Sequence, residues 1–130
     1  MITTILSDKR PIVKISINNK DTYALVDTGS SLNIIDDSQL KSLGITRRFK
    51  MGDAQGMGGT AEVYHLNNCK VNIEGITLNQ FVSTDMSNIV DSIESDSGVK
   101  ISAILGTPAI KEAELIINPS TNEISIGYKD

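Results

Sequence analysis

With 130 residues, 39% of them hydrophobic and 22% charged, the chain has the composition of one ordinary globular domain. A net charge of −4 and the lack of a Lys/Arg block argue against a nucleic-acid partner, and no apolar stretch is long enough to span a membrane. The single cysteine, Cys69, and the single histidine, His65, exclude a disulfide framework and a metal site built from Cys or His.

An alternation of apolar and polar residues with period two predicts β-strands in the first part of the chain. A first strand is followed by a turn over residues 18–21, and a returning strand leads directly into Asp27. The apolar residues that mark these two strands are Val13, Ile15, Ile17, Tyr23 and Leu25. The sequence therefore predicts a hairpin that carries Asp27 at its end.

A further strand and a short helix are predicted over residues 34–44. Ile34 and Ile35 indicate the strand, and the helix begins at Asp36, which can act as the N-cap with Gln39 three residues later. In this helix the inward-facing residues are Leu40 and Leu43, and the terminating residue is Gly44. The basic cluster that follows, Arg47-Arg48 with Lys50, is expected in a solvated turn.

The second half of the chain predicts more strands, interrupted by helical spacing. Strands are expected over residues 63–66, 70–74 and 76–82, the last two joined at Gly75. Four residues at helical spacing predict a helix over residues 86–95 that packs on the core: Met86, Ile89, Val90 and Ile93. Thr107 and Pro108 suit the N-cap and first position of a short helix, and residues 115–117 and 124–126 form a terminal hairpin. The prediction is one all-β domain with short helices.

Asp27 is the strongest candidate for a functional residue. Residues 24–30 read Ala-Leu-Val-Asp-Thr-Gly-Ser, an apolar run that delivers one carboxylate into a Thr-Gly turn. A carboxylate at the end of a buried strand costs free energy unless hydrogen bonds or a partner group compensate it. Asp-Thr-Gly is also a common turn composition, because Asp bonds its own backbone and Gly accepts positive φ. The tripeptide alone is compatible with a simple turn and with a functional site.

A second motif, Ile104-Leu105-Gly106, favours the functional site over the simple turn. It follows another apolar approach through Ile101 and Ala103. In order and separation, the two motifs resemble those of the aspartic peptidases, in particular the retroviral-type members, or retropepsins. Residues 86–95 resemble the helical insert of bacterial retropepsin-like domains. The likeness extends over residues 11–127.

The resemblance implies a fold and a role for each residue of the motif. It implies a single-lobed, closed β-barrel-like fold over residues 1–130, with Ile104-Leu105-Gly106 passing under the active-site loop in a ψ-shaped crossing. Asp27 would be catalytic, Thr28 would bond across the pair of aspartates, Gly29 would let backbone approach the carboxylates, and Ser30 would bond the outer oxygen of Asp27. A hydroxyl that donates to an ionised carboxylate lowers its pKa, so an acid-shifted activity relative to Ser30→Ala is expected.

Residues 52–60 are rich in glycine, with four glycines within eight positions. This composition alone predicts a flexible surface loop, and no Gly-Lys-Ser/Thr follows that would indicate phosphate binding. The resemblance implies a β-hairpin flap that covers the substrate, with Gly56, Met57, Gly58 and Gly59 in contact with it. Apolar lining is then expected from Leu25, Ile34, Met57 and Ile104, which favours hydrophobic residues near the scissile bond.

The chemistry implied by the resemblance requires two carboxylates. Peptide hydrolysis without a metal or a covalent intermediate needs an activated water and an acid for the leaving amine. Two adjacent carboxylates that share one proton supply both. Because the chain has one Asp-Thr-Gly, the second carboxylate comes from another copy through a twofold axis, which makes the protein a homodimer. Asp36 and Asp37 are the internal alternative, although helix capping accounts for Asp36.

The expected function is therefore an aspartic endopeptidase that acts on peptides or proteins, with no cofactor and no metal. The chain departs from the retroviral enzymes in one respect. Many relatives carry Asp, Asn or Arg soon after the Ile-Leu-Gly, and the retroviral enzymes have acidic residues after the active-site turn that pair with that Arg. This chain has Thr107-Pro108-Ala109 and Ser31-Leu32 at these places. Without this ion pair beside the dimer axis, the dimer is expected to be weaker, while the chemistry is unaffected. The terminal segments 2–6 and 124–128 are β-forming, and the resemblance implies that they interleave between subunits.

Two other functions are compatible with the same residues. A catalytically weak or inactive module of retropepsin fold would bind peptides or dimerise with Asp27 still present. An enzyme acting on carbohydrate or through a metal, with Asp27 and either Asp53 or Asp85, has no supporting spacing. Residues 1–6 lack the basic start and apolar core of a secretory signal, so a cytoplasmic location is the default expectation unless a signal was removed.

Overall fold

The structure, a computed structural model, describes residues 2–3, 10–56, 59–118, 120–121 and 123–127. Strands dominate the regular structure of these residues and the helices are short, so the predicted all-β class is confirmed. The strands are β1 (Ile2–Thr3), β2 (Ile12–Ile17), β3 (Lys20–Val26), β4 (Asn33–Asp36), β5 (Thr46–Gly56), β6 (Gly59–Asn67), β7 (Val71–Ile73), β8 (Ile76–Leu78), β9 (Phe81–Thr84), β10 (Ala103–Leu105), β11 (Leu115–Asn118) and β12 (Glu123–Ile126). The helices are a 3-10 turn (Asp37–Gln39), α1 (Leu40–Leu43), α2 (Ser87–Ser97) and α3 (Thr107–Glu112).

The strands form two sheets. One has nine strands in the order β5-β6-β9-β4-β10-β3-β2-β7-β8, and the other has three in the order β1-β12-β11. In the described part of the chain no ladder joins β5 to β8, so the described pairings leave the expected barrel open. β1 pairs with β12 of its own chain, with Ile2 opposite Ser125. The interleaving of these segments between subunits stays a prediction, and residues 4–6 and 128 of the predicted segments lie outside the described residues.

The hairpin that leads to Asp27 forms as predicted. β2 and β3 pair antiparallel over their full lengths, and the turn is confined to Asn18 and Asn19. Both have positive φ, 50° and 67°, as a two-residue hairpin turn requires. The Asn18 amide also donates to the carbonyl of Leu43 at 2.9 Å. This bond ties the hairpin turn to α1.

The single strand predicted over residues 76–82 is wrong. The chain forms β8, breaks at Asn79 and Gln80, and resumes as β9. Gln80 has φ 67°, a left-handed conformation that a continuous strand does not contain. Among the described strands, β8 pairs only with β7, whereas β9 pairs with β4 and β6. Because of the break, the two halves of one apolar run pair at distant positions of the same sheet, β8 at its edge and β9 between β6 and β4.

The solvated turn predicted at the basic cluster is also wrong. Arg47, Arg48 and Lys50 are exposed, but their backbone belongs to β5, which pairs with β6. β5 is an edge strand of the nine-stranded sheet. Because residues 46–51 are exposed on both faces of this strand, the sequence shows no period-two alternation there.

α1 and the turn before it begin and end as predicted. Asp36 caps the 3-10 turn by accepting a hydrogen bond from the N–H of Ser38. Gly44 ends α1 at φ 74°. Leu40 and Leu43 are buried, at 7% and 6% exposure. The short-range capping pattern in the sequence is therefore confirmed.

α2 and α3 follow the predictions with small shifts. α2 runs from Ser87 to Ser97 and ends at Gly98, where φ is 77°. α3 begins at Thr107 with Gly106 as its N-cap, so the expected Thr107 cap is wrong by one residue, because Gly106 holds the extended conformation that precedes the helix. In the described part of the chain, no helix combines the length and apolar character needed to cross a membrane.

The nine-stranded sheet buries apolar side chains on both faces. On one face, a main core packs the sheet against α1, α3 and the three-stranded sheet. On the other face, a second core packs the sheet against α2. The members of this second core are Ile12, Ile34, Val63, Val82, Met86, Val90, Ile93, Ile101 and Ile104. The predicted packing of the 86–95 helix on the core is confirmed, with Ile89 only partly buried.

Cys69 follows β6 and packs, partly buried, against the main core. Burial raises the pKa of its thiol to about 11. Because the thiolate is the reactive form, we expect iodoacetamide at mildly alkaline pH to alkylate Cys69 about 100-fold more slowly in the folded protein than in the unfolded chain. Mass spectrometry of timed samples with and without urea checks this, and equal rates would contradict it.

Candidate active site

Asp27 is the first residue after β3, and backbone hydrogen bonds hold it there. Its N–H donates to the carbonyl of Leu105 in β10 at 2.9 Å. Its carboxylate oxygen Oδ1 accepts the N–H of Gly29 at 2.9 Å, which is the bond by which Asp closes a tight turn. The residue is partly exposed. The strand end therefore presents one oriented carboxylate.

The segment Ile104-Leu105-Gly106 crosses beneath this carboxylate. β10 pairs parallel to β3 on one side and antiparallel to β4 on the other. Just after β10, the N–H of Thr107 donates to the carbonyl of Ser30 at 2.9 Å. Together with the bond from Asp27 to Leu105, this fastens both ends of the loop 27–30 to residues 105–107. The crossing has the arrangement that the resemblance implies.

Gly106 is the point where the two segments approach most closely. A Cβ at this position would lie 2.2 Å from the carbonyl oxygen of Leu32 and 2.6 Å from that of Ser30. Both oxygens belong to the backbone, so neither can rotate out of the way. Glycine is required here for the close approach of backbone to backbone.

Asn33 completes the crossing, although the sequence patterns do not single it out. Its side chain is 0% exposed. Oδ1 accepts the N–H groups of Gly106 at 2.9 Å and Ala109 at 3.2 Å, and Nδ2 donates to the carbonyl of Asn79 at 3.0 Å. These bonds form a neutral brace in a chain that lacks the ion pair of the retroviral enzymes. In the sequence, Asn33 stands out only as an amide directly before two isoleucines of an apolar strand. This pattern does not indicate which groups its side chain bonds.

The residues after Asp27 are placed as a tight loop, with one difference from expectation. A Cβ on Gly29 would lie 3.3 Å from Oδ1 of Asp27, so glycine leaves room beside the carboxylate. The Ser30 hydroxyl donates to the carbonyl of Leu32 at 2.7 Å and accepts its N–H at 3.3 Å. Because a hydroxyl has one proton to donate, the expected bond from Ser30 to Asp27 is wrong in this chain. Thr28 is exposed, and its bond across the pair stays a prediction.

Ser30→Ala is now expected to leave the pH dependence of cleavage unchanged, because the hydroxyl bonds Leu32 and not Asp27. Loss of the loop hydrogen bonds should lower the free energy of unfolding by about 1 kcal/mol. Profiles of kcat/KM from acid to neutral pH and urea unfolding curves check both statements. The exposed neighbour provides a control, Ser31→Ala, which should change neither quantity. A shift of the acidic side of the pH profile in Ser30→Ala, but not in Ser31→Ala, would contradict this prediction and indicate that Ser30 bonds Asp27.

The glycine-rich stretch belongs to a β-hairpin, as the resemblance implies. β5 and β6 pair up to Gly56 opposite Gly59, while Met57 and Gly58 lie outside the described residues. The register shifts between Arg47 and Lys50 and again just beyond Lys50. Such irregularities increase the twist of a hairpin and redirect it. Whether this hairpin covers a substrate stays a prediction.

The base of the hairpin is anchored to the body of the protein. Arg47 pairs with the carboxylate of Asp37, and its guanidinium lies 4.1 Å from the centroid of the Tyr64 ring. The hydrogen bond and the charge of Asp37 raise the pKa of Arg47. Asp37 also accepts the Ser83 hydroxyl at 3.0 Å, and the Tyr64 hydroxyl donates to Glu62 at 2.6 Å. The anchored base and the glycine-rich end are thus distinct parts of the hairpin.

The apolar lining of the site differs from the prediction. Ile34 and Ile104 are only 9% and 3% exposed and belong to the second core, under α2. Their predicted role as cleft lining is therefore wrong for the single chain, because α2 covers this part of the sheet. Leu25 is partly buried beside the same core. Met57 lies outside the described residues.

Three of the other acidic residues considered from the sequence, Asp36, Asp37 and Asp85, have structural partners. Asp36 is 1% exposed and accepts hydrogen bonds from Ser38 and Gln39, while Asp37 pairs with Arg47. Asp85 accepts the N–H of Ser87 at 2.9 Å, which lowers the pKa of Asp85. The side chain of Asp53 lies outside the described ones. Among the described residues, no group of three His, Cys, Asp or Glu side chains is placed to hold a metal ion.

Comparison with known proteins agrees with this geometry. The family model described as aspartyl protease matches residues 13–109. A retropepsin-like aspartic protease from Rickettsia conorii is similar in structure, with a TM-score of 0.65 and 13% identity over 95% of each chain. The retroviral protease-like domain of Ddi1 from Leishmania major gives a TM-score of 0.61 and 19% identity, covering 91% of this chain and 88% of that one.

A viral protein shows the same likeness. The EIAV protease, solved with the inhibitor HBY-793, gives a TM-score of 0.55 and 18% identity, covering 83% of this chain and 91% of that one. A comparison with curated protein sequences finds no match. At these identities the structural likeness establishes a retropepsin-like fold.

Proposed function

This chain belongs to the aspartyl protease family, whose model matches residues 13–109, and we propose that it is an aspartic endopeptidase that works as a homodimer. Asp27 of each subunit supplies one half of the catalytic pair. The substrate is a peptide segment held in extended conformation, which retropepsin-like clefts can bind by strand-like backbone hydrogen bonds. No cofactor takes part in this proposal.

The observation that carries the proposal is the presentation of Asp27. Its loop is bonded at both ends to residues 105–107, and Oδ1 is held by the N–H of Gly29. A group that transfers protons in catalysis must be held in position before the substrate arrives. The crossing of backbone segments below the loop provides that rigidity, and the close approach at Gly106 leaves it little freedom to shift.

The proposed chemistry follows from two carboxylates placed side by side. Because like charges at close range cannot both ionise, one member of the pair keeps a proton. The ionised carboxylate removes a proton from the attacking water, and the protonated one donates to the carbonyl oxygen of the scissile peptide bond. The titration belongs to the pair, so no single pKa describes either aspartate.

The second carboxylate is proposed to come from another copy of the chain. Asp36 and Asp37 are the first acidic residues after Asp27 in the sequence, and both are engaged, in capping the 3-10 turn and in pairing with Arg47. A twofold axis beside the loop 27–30 would place two identical aspartates together, as in an isologous dimer. The β5/β6 hairpins would then close over the peptide from both subunits and exclude water.

Measurement of assembly and activity in the same samples tests this proposal. Sedimentation across a dilution series gives the dimer fraction, and digestion of casein or a peptide library from acid to neutral pH, with and without pepstatin, gives the activity. We expect cleavage per chain to rise in proportion to the dimer fraction and pepstatin to block it. A fully active monomer would contradict the shared pair. A stable dimer that cleaves nothing would favour a peptide-binding module instead.

A further inference from the structure

Helix α3 begins directly after the crossing and has no capping side chain of its own. Its N-cap is Gly106, which carries no acceptor, and Pro108 in its first turn has no N–H. Asn33, on the adjacent strand β4, supplies the acceptor instead. Its Oδ1 accepts the N–H of Gly106 at 2.9 Å and that of Ala109 at 3.2 Å. The first turn of α3 is therefore held by a side chain from a different element.

The other end of α3 is bonded to the break between β8 and β9. Glu112 is the last residue of α3, and its carboxylate accepts the backbone N–H of Asn79 at 2.8 Å and the side-chain amide of Asn79 at 3.0 Å. The break takes Asn79 out of the strands, so its N–H is not used by a strand partner. Hydrogen bonds to an ionised carboxylate are about twice as strong as those between neutral groups.

Asn79 joins the two ends of the helix. Its carbonyl accepts the Nδ2 amide of Asn33 at 3.0 Å, while Glu112 holds its N–H and its side chain. We call Asn33, Asn79 and Glu112 the clamp, because they connect the first turn of α3 to its last residue by hydrogen bonds outside the helix. An amide is suited to position 33, since it accepts on one side and donates on the other. Glu112 thus fixes the carbonyl that orients Asn33.

The residues that the clamp holds are those that fasten the loop of Asp27. The carbonyl of Leu105 accepts the N–H of Asp27, and the N–H of Thr107 donates to the carbonyl of Ser30, each at 2.9 Å. Gly106, whose N–H is bonded by the clamp, lies between these two residues. A shift of α3 would therefore move both attachments of the loop. Misplacing a reacting group by about 1 Å can lower a rate by about 100-fold.

We propose that the clamp positions Asp27 for proton transfer, and that Glu112, at the far end of α3, is a positioning residue of the proposed cleavage. The proposal rests on the proposed function. Asn33 is 0% exposed and reaches the loop only through backbone groups of the crossing. Because the clamp acts on the reacting carboxylate through other residues, loosening it should lower kcat and leave KM nearly unchanged.

Two substitutions with opposite changes of charge test the clamp. Asn33→Asp keeps the shape and the acceptor, loses the donor to Asn79 and adds a negative charge, whereas Glu112→Ala releases Asn79 and removes one. At neutral pH, kcat per dimer should fall about 10-fold or more in Asn33→Asp and about 3-fold or more in Glu112→Ala, with KM changed less than about 2-fold. Sedimentation gives the dimer concentration. Changes of kcat in opposite directions would indicate an effect of charge and overturn the proposal.

Asn18→Asp is the matched control. The Asn18 side chain is also half-buried and makes three hydrogen bonds to backbone groups, those of Leu43, Asn68 and Lys70. It lies at the turn of the β2/β3 hairpin, at the opposite end of β3 from Asp27. The same exchange of amide for carboxylate should therefore lower stability in urea and leave kcat per dimer unchanged.

The outcomes separate this proposal from the function on which it rests. If the wild-type protein cleaves no peptide, the proposed function fails and the clamp proposal fails with it. If the wild type cleaves, but the clamp variants keep the wild-type kcat per dimer, only the clamp proposal is overturned. An equal loss of kcat in Asn18→Asp would also overturn it. If Asn33→Asp does not fold, Glu112→Ala decides alone, because Glu112 is only partly buried and alanine suits a helix.

Discussion

Asp27→Asn is expected to reduce peptide cleavage by roughly 10⁴-fold, the upper end of what general acid–base groups contribute. The amide keeps the shape of the side chain and can still accept the N–H of Gly29, so the loop should hold its conformation. It cannot exchange a proton with water or with the substrate. Unfolding curves and sedimentation of the variant should therefore match those of the wild type, while kcat falls.

A matched control separates the carboxylate's chemistry from its charge. Asp21 lies on β3, the strand that leads to Asp27; it is exposed, and its carboxylate is 3.5 Å from the ammonium group of Lys14. Asp21→Asn changes the net charge of the chain by the same amount and should leave cleavage unchanged. Equal cleavage by wild type and Asp27→Asn would eliminate the proposed enzyme.

Mixing wild-type and Asp27→Asn chains tests the sharing of the pair between subunits. When equal amounts exchange fully, about a quarter of the dimers carry two carboxylates. Activity per wild-type chain should then fall to about half of its unmixed value. Activity that stays constant on mixing would mean that each subunit works alone and would contradict the proposed pair.

Gly106→Ala is expected to destabilise the protein by more than about 4 kcal/mol, which few single substitutions reach. The added Cβ would lie 2.2 Å from the backbone oxygen of Leu32, so one of the two crossing segments must move. Any such movement strains the bonds from Asp27 to Leu105 and from Thr107 to Ser30. Because whole domains are stable by only about 5–15 kcal/mol, we expect partial unfolding at ordinary temperature and no cleavage.

Gly98→Ala is the appropriate control for this experiment. Gly98 ends α2 at φ 77°, and a Cβ there would meet no atom within 4 Å. Its replacement costs only the left-handed backbone strain, about 1–2 kcal/mol. Urea unfolding of the two variants compares the free-energy cost of the steric collision at Gly106 with that of the backbone strain at Gly98. If Gly106→Ala loses no more stability than Gly98→Ala, the crossing is looser than the structure indicates.

Local patterns predicted the parts of the fold whose causes are local. The hairpin turn, the cap at Asp36 and the stop at Gly44 each depend on a few neighbouring residues, and each forms where predicted, although the turn takes only Asn18 and Asn19 of the four residues expected. The edge strand β5 was missed because its residues 46–51 are exposed on both faces and show no alternation. The break at Gln80 was missed because pairing with β4 and β6, far along the chain, decides where β9 begins.

The candidate site divides in the same way. Asp27 and the segment 104–106 stand out in the sequence, because each ends an apolar run, and a carboxylate in that position needs compensating bonds. The partner of Ser30 could not be predicted, since Asp27 and Leu32 are both within three residues of it in the sequence, and the fold selects the carbonyl of Leu32. The partners of Asn33 could not be predicted either, because Gly106 and Ala109 are more than 70 residues away in the sequence.

By itself, the sequence determined the all-β class and the carboxylate at the end of β3, because alternation, capping and turn chemistry act over a few residues. Only the tertiary structure decided how the elements around the crossing pack together. Placement of α2 over Ile34 and Ile104, and of Asn33 under the crossing, depends on which faces of distant strands are buried together. Burial is a property of the assembled sheet, so no local stretch of residues encodes it alone.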